Sequence, residues 1–189
     1  DIDTFNLYAF NLGVVEAMSY WKLACPGEFI IEAGGLDAEQ TRFWYDLFIH
    51  GLGEFYYRNK IDFTTPDFLR ITSAGQGAKP GFEANQRHIP GQIRNDKRYG
   101  DLVLVGGGKD SAVTLGMMAT SDRTLQTMVL NPTQAALDNI QTAGYSPPLV
   151  VQRGLDARMF ELNDAGYLNG HTPFSAYLAF LGVMVASLY

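Results

Sequence analysis

Val105-Gly106-Gly107-Gly108-Lys109-Asp110-Ser111 is the stretch whose reading decides the fold. It follows the continuous apolar run Leu102 to Val105 and precedes a helical pattern from Ser111 to about Thr120, so it lies where a buried strand hands over to a helix. Glycines let the backbone approach a ligand closely, and the free N–H groups of a helix start face outward with the positive end of the dipole. Such a loop suits phosphate. Gly106, Gly107 and Gly108 supply backbone, Lys109 a point charge, Ser111 a hydroxyl donor, and Asp110 a carboxylate for Mg²⁺ or for fixing the loop. The plain alternative is a tight glycine turn with incidental polar residues.

Downstream, Thr127 to Leu130 reads as a second strand and Pro132 to Ala143 as a second helix, with Asn131 as its cap and Gly144 as its stop. Leu149 to Gln152 supplies a third strand. Strands buried on both faces and alternating with helices imply βαβ units and a parallel sheet, which makes 101–189 a nucleotide-binding α/β domain. The C-terminal run Phe174 to Tyr189 is almost wholly apolar, but its sixteen residues fall short of the roughly 20 that span a bilayer. A buried helix ending at a cut terminus is the expectation, with no stable membrane insertion.

Upstream, Leu7, Phe10, Val14, Ala17, Met18 and Trp21 form one helical stripe within residues 5–23, which Pro26 and Gly27 terminate. A short strand from Glu28 to Ala33 follows. Asp37 and Gln40 form a capping-box pattern before a helix to about Ile49, whose buried side would be Phe43, Trp44, Leu47 and Phe48. Another strand is expected near Phe68 to Thr72, so that 1–72 is an α+β segment. Residues 73–100 are glycine-rich and locally basic, with Arg87, Arg94, Lys97 and Arg98 against Glu83 and Asp96. They read as a solvated linker or a phosphate-contacting flap. No internal repeat is present.

The bulk numbers fit a soluble globular chain: 47% hydrophobic and 18% charged residues over 189 positions. The formal charge of −6 arises because residues 1–63 carry ten acidic and four basic side chains while the remainder balances. This argues against a nucleic-acid partner. Cys25 is the single cysteine, so no intrachain disulfide forms; with no secretory signal in view, a reducing, cytoplasmic setting is expected.

The kind of phosphate loop can be narrowed. A Walker A loop needs lysine followed directly by Ser or Thr, and here Asp110 intervenes; the staggered glycines of a dinucleotide fingerprint are also missing. The run resembles the Ser-Gly-Gly-x-Asp-Ser signature of PP-loop ATP pyrophosphatases, through Gly107, Gly108, Asp110 and Ser111. That family has an adenine nucleotide alpha hydrolase-like parallel sheet and splits ATP at the α–β bond. Gly106 stands where its serine usually lies, so one hydroxyl contact is missing or supplied elsewhere.

A wider resemblance runs over most of the chain. Val14-Val15-Glu16-Ala17-Met18-Ser19-Tyr20-Trp21-Lys22, His50-Gly51-Leu52-Gly53-Glu54-Phe55-Tyr56-Tyr57, the loop, and Asn169-Gly170-His171-Thr172-Pro173-Phe174-Ser175-Ala176 together resemble the bacterial UDP-N-acetylmuramoyl-L-alanyl-L-glutamate epimerases. The resemblance implies ATP and Mg²⁺ as cofactors and a nucleotide-sugar peptide of peptidoglycan biosynthesis as substrate. It also implies adenylation of a terminal L-glutamate, inversion at its α-carbon, and release of AMP and pyrophosphate. Another PP-loop adenylating enzyme, amide-forming or RNA-modifying, and a nucleotide-binding module without turnover are the alternatives.

Lys109, His171 and Glu54 are the candidate catalytic residues, and Asp110 the candidate metal ligand. His171, before Thr172 and Pro173 at a helix start, is a candidate base or a histidine bonded to backbone. Glu54 is a base or metal ligand if buried, and otherwise a structural hydrogen-bonding group. Trp21, Trp44 and the pair Tyr56 and Tyr57 read as core.

Overall fold

The computed structural model describes residues 2–74, 100–145 and 147–188, which form two compact units. The first joins the residues up to Ala74 with Asp156–Leu188; the second runs from Gly100 to Leu155. The basic part of the expected linker or flap, Arg87 to Arg98, lies outside the described residues. At the two ends of that segment, Ser73 closes one strand and Gly100 opens another.

In the first unit, α1 (Ile2–Trp21) leads to β1 (Glu28–Ile31), α2 (Ala38–Gly51), α3 (Gly53–Asn59) and β2 (Arg70–Ser73). The two strands pair in parallel, Glu28 opposite Arg70 and Ile31 opposite Ser73, and the Glu28 and Arg70 side chains form an ion pair across the pair. The capping box forms as expected: Gln40 N–H donates to the Asp37 carboxylate at 2.8 Å and Asp37 N–H to the Gln40 side chain at 2.9 Å. Helix α2 is thereby fixed at its start.

Trp44 and Phe48 are buried on α2, but Phe43 is half exposed, because the helix turns only a narrow stripe inward. On α1 Val14, Met18 and Trp21 of the stripe are buried and Ala17 is half-buried, whereas Leu7 remains partly exposed. The buried aromatics pack edge to face or stacked: Trp21 on Phe48 at 4.9 Å between centroids, and Trp44 on Phe180 at 5.3 Å. Their polar tips are satisfied within the core. Trp21 Nε1 donates to Pro26 O and Tyr56 Oη to Phe48 O. Tyr57, expected in the core beside Tyr56, points outward and is 86% exposed, because Phe55 and Tyr56 already occupy the inward side of α3.

The chain returns to this unit through α6 (Ala157–Asp164) and α7 (Phe174–Ala186). Helix α7 packs along α1 and buries Tyr177, Leu181 and Val185, a spacing of four that makes one stripe. The apolar C-terminal run is therefore a packed helix, and no helix among the described residues is long and apolar enough to cross a membrane. Residues 101–189, taken from sequence as one domain, divide at Leu155 between the two units.

The second unit is a three-stranded parallel sheet in the order β3 (Gly100–Leu104), β4 (Thr124–Leu130), β5 (Leu149–Val151). Helices α4 (Lys109–Met118) and α5 (Gln134–Thr142) make the crossovers, as the alternating pattern required. Val105, Leu115, Val129, Ala136 and Ile140 form its core. Burial on both faces holds for the central strand β4, where Thr127, Met128 and Val129 are buried; β3 and β5 flank it and are half-buried, with Val150 exposed.

The second helix begins two residues later than expected. Its cap is Thr133, which accepts from Ala136 N–H at 3.2 Å, and not Asn131. Asn131 instead takes φ 47° and exchanges two hydrogen bonds with the backbone of Arg153.

Candidate functional site

The residues expected from sequence to carry chemistry fall into two groups, one in each unit. In the second unit, β3 ends at Leu104 and the chain turns through Val105–Gly108 into α4. Gly107 takes φ +89°, and a Cβ there would lie 2.7 Å from Ala136 N, so only glycine fits against the start of α5. Gly106 and Gly108 differ. Apart from Ser111 Oγ at 4.0 Å from the position a Cβ would take at Gly106, the space beside both is open.

Gly108 is the N-cap of α4 in extended conformation and no side chain caps the helix. The early N–H groups of α4 therefore receive no side-chain cap beside an open glycine surface, the arrangement that accepts an anion. Ser111 Oγ accepts from Gly106 N–H at 3.0 Å and closes the turn. One hydroxyl thus holds the loop together across the position where the resembled signature has serine. Lys109 and Asp110 are exposed in the first turn, and Asp110 also suits a helix start electrostatically. Among the described residues no group of three or more His, Cys, Asp or Glu could hold a metal. A divalent ion here would reach the protein through one carboxylate, as Mg²⁺ bound to phosphates commonly does.

In the first unit, three distant sequence segments meet around Asn169–Pro173. Lys22, at the end of α1, donates from Nζ to Gly170 O, and its side chain lies 6.0 Å from the centre of the Phe55 ring. Asn59 Nδ2 donates to Asn169 O at 2.9 Å. Glu54 Oε2 accepts from His171 N–H at 3.0 Å, and Ser19 Oγ lies 3.4 Å from Thr172 Oγ1. Gly170 fits against Phe55, where a Cβ would come within 3.1 Å of backbone and ring. These are residues of the segments 14–22, 50–57 and 169–176 singled out in the sequence.

Glu54 is exposed, so the condition for a raised, base-like carboxyl fails. Its carboxyl is held below the ordinary carboxylate range chiefly by the His171 backbone N–H, with the neighbouring His171 and Arg58 side chains adding to the effect. Arg58 lies one helical turn on, 3.3 Å away. His171 Nδ1 is 3.7 Å from Glu54 Oε2, an ion-pair distance when the ring is protonated, and the ring is 86% exposed. The structure brings His171 and Glu54 together. Lys22, buried at 7% exposure, was not singled out from sequence, although its position four residues after Met18 on the buried stripe of α1 is the signal that marks it.

The family model described as the MurL N-terminal domain matches residues 2–189. The chain belongs to this family. Curated relatives named UDP-N-acetyl-alpha-D-muramoyl-L-alanyl-L-glutamate epimerase include proteins of Xanthomonas oryzae pv. oryzae, 28% identical over 177 residues, and of Salinispora tropica, 29% identical over 177 residues. A Micromonospora relative of the same name is 29% identical over 178 residues. In each case the alignment covers 94% of this chain and 36% of the relative, so this MurL N-terminal domain spans little more than a third of their length. No solved structure matches it.

Proposed function

We propose that this MurL N-terminal domain belongs to an ATP-dependent epimerase of the terminal L-glutamate in a UDP-MurNAc-L-Ala-L-Glu-type precursor. The observation that carries the reading is the strand-to-helix turn at 105–111, with its uncapped helix start and open glycines, in a chain whose curated relatives are named as epimerases of that substrate. Gly106, Gly107, Gly108, Lys109, Asp110 and Ser111 are its ATP-binding residues. Gly106 contributes shape, since its N–H is engaged by Ser111. Mg²⁺ carried on the phosphates would offset their charge, with Asp110 as its protein ligand and Lys109 stabilising the departing pyrophosphate.

The chemistry explains the need for ATP. A free carboxylate resists loss of the α-hydrogen, because the resulting enolate would carry a second negative charge. Adenylation of that carboxylate, with pyrophosphate leaving, gives a mixed anhydride that withdraws electrons and acidifies the α-carbon. A base then removes the proton, the proton returns on the opposite face, and water releases AMP and the D-glutamyl product. His171 is the candidate base, with the Glu54 carboxylate 3.7 Å from its Nδ1.

The test uses the protein that carries this chain, with ATP, Mg²⁺ and the L-glutamyl precursor in deuterated water. The expected products are AMP, pyrophosphate and a D-glutamyl product deuterated at the α-carbon. ADP in place of AMP would overturn the reading. AMP without α-deuterium would assign the chain to a different adenylating reaction.

A further inference from the structure

The amine of Lys22 emerges from the end of α1 into a nearly closed environment and donates to the Gly170 carbonyl. Burying an ammonium is costly, and a loop of ordinary structural purpose can be fixed by neutral groups such as Asn59, which already holds the preceding carbonyl. The next N–H, that of His171, is held by the Glu54 carboxylate, and the next side chain, Thr172, lies beside Ser19. Four successive residues, Asn169 to Thr172, are thus each held by a polar side chain from α1 or α3, and Gly170 leaves no slack against Phe55. Amid this fixation the His171 ring is the part left standing in solvent. A rigid backbone under a solvent-exposed imidazole is what a group that must meet a reacting atom requires, because small misplacements cost large factors in rate.

We infer that Lys22 is a positioning residue for proton transfer: through Gly170 it fixes the 169–172 segment so that the His171 imidazole takes the α-proton of the activated glutamyl group from one face. The inference rests on the epimerase reading above. In the step, the α-carbon to hydrogen bond breaks, its electron pair moves into the enolate of the mixed anhydride, and the proton goes to His171. Glu54, whose oxygen lies 3.7 Å from Nδ1, also holds the His171 backbone N–H.

Two half-reactions separate the possibilities: exchange of labelled pyrophosphate into ATP, which reports adenylation, and solvent deuterium entry at the α-carbon, which reports proton transfer. His171→Ala, a change at an exposed ring, should keep pyrophosphate exchange and lose α-deuteration by about 10²–10⁴-fold, with partial recovery on adding free imidazole. Lys22→Met should slow α-deuteration by on the order of 10–100-fold at unchanged substrate KM, and Lys22→Arg should recover most of it. Parallel loss of both half-reactions with a fall in melting temperature in Lys22→Met and no recovery in Lys22→Arg would make Lys22 merely structural and overturn the inference. So would α-deuteration indifferent to His171→Ala. Absence of pyrophosphate exchange in the unaltered protein is a different failure, that of the adenylation reading, and takes this inference with it.

Discussion

Glu54 and His171 are 117 positions apart in sequence, yet the Glu54 carboxylate accepts the His171 backbone N–H at 3.0 Å and ties α3 to the segment leading into α7. The bond lowers the carboxyl below its ordinary value of 4.5. A group depressed in the folded state stabilises it above its unfolded value, and that contribution fades as pH falls through the folded value. The tie is therefore intact at neutral pH and releases only below about 4.5. The His171 amide resonance should titrate with a midpoint under that figure, and Glu54→Gln should abolish the transition. A midpoint at or above it would mean that the carboxylate gains nothing from this contact.

Asn131 offers a second test, because its backbone and side chain make separable contributions. Its φ of 47° disfavours most side chains, and its amide both donates to Arg153 O at 2.9 Å and accepts from Arg153 N–H at 2.8 Å. Asn131→Ala loses both bonds and keeps the left-handed strain, for a total of about 2–4 kcal/mol. Asn131→Gly loses the bonds alone and should be less damaging by roughly 1 kcal/mol. Urea unfolding of the two variants checks the order. Equal losses would show that the turn relaxes when the side chain goes.

Much of this second unit was legible because its signals are local. The apolar run before Gly106, the polar glycine turn and the 3.6-residue periodicity after it are read within a few residues of one another, as is the Asp37 and Gln40 box in the first unit. Asn131 misled because the same chemistry that makes a good cap also serves a contact 22 residues away, and Thr133 two positions on was free to cap instead. The allegiance of α6 and α7 to the first unit was not readable. The apolar stripe of α7 specifies burial but not a partner, and its partner, α1, lies more than 150 residues earlier. The meeting of Lys22, Glu54 and His171 is non-local in the same way: resemblance grouped their segments, but only packing could show that they touch.

Cys25 combines φ 47° with a half-buried thiol, and burial pushes that thiol from an ordinary 9.0 up to about 11. At pH 8 its thiolate population should be lower by on the order of 100-fold than that of a free cysteine, since two pKa units separate them. Alkylation by iodoacetamide should be correspondingly slow in the folded protein and become ordinary in urea. A raised folded value also means that the thiol's contribution to stability is complete below 9.0 and is lost as pH rises toward about 11. Rapid labelling of the native protein at pH 8 would place Cys25 in a more open environment than the one described.

The glycine loop itself gives the sharpest contrast, because adjacent glycines do different work. Gly107 has φ +89° and would drive a Cβ to 2.7 Å from Ala136 N, so Gly107→Ala must strain the turn or push α5 away, at about 1–3 kcal/mol or more. Gly108 has φ −83° and nothing within 4 Å of its would-be Cβ, so Gly108→Ala should cost no more than about 1 kcal/mol, the price of a poorer helix cap. The order reverses for ligand. A methyl group at Gly108 projects into the open surface beside the uncapped N–H groups of α4, where the phosphates of ATP are proposed to lie, and should weaken ATP binding on a folded protein, as should Lys109→Ala. Thermal melting and ATP titration of the three variants decide the matter. If Gly108→Ala and Lys109→Ala bind ATP as the unaltered protein does, the loop is a structural turn and the nucleotide lies elsewhere.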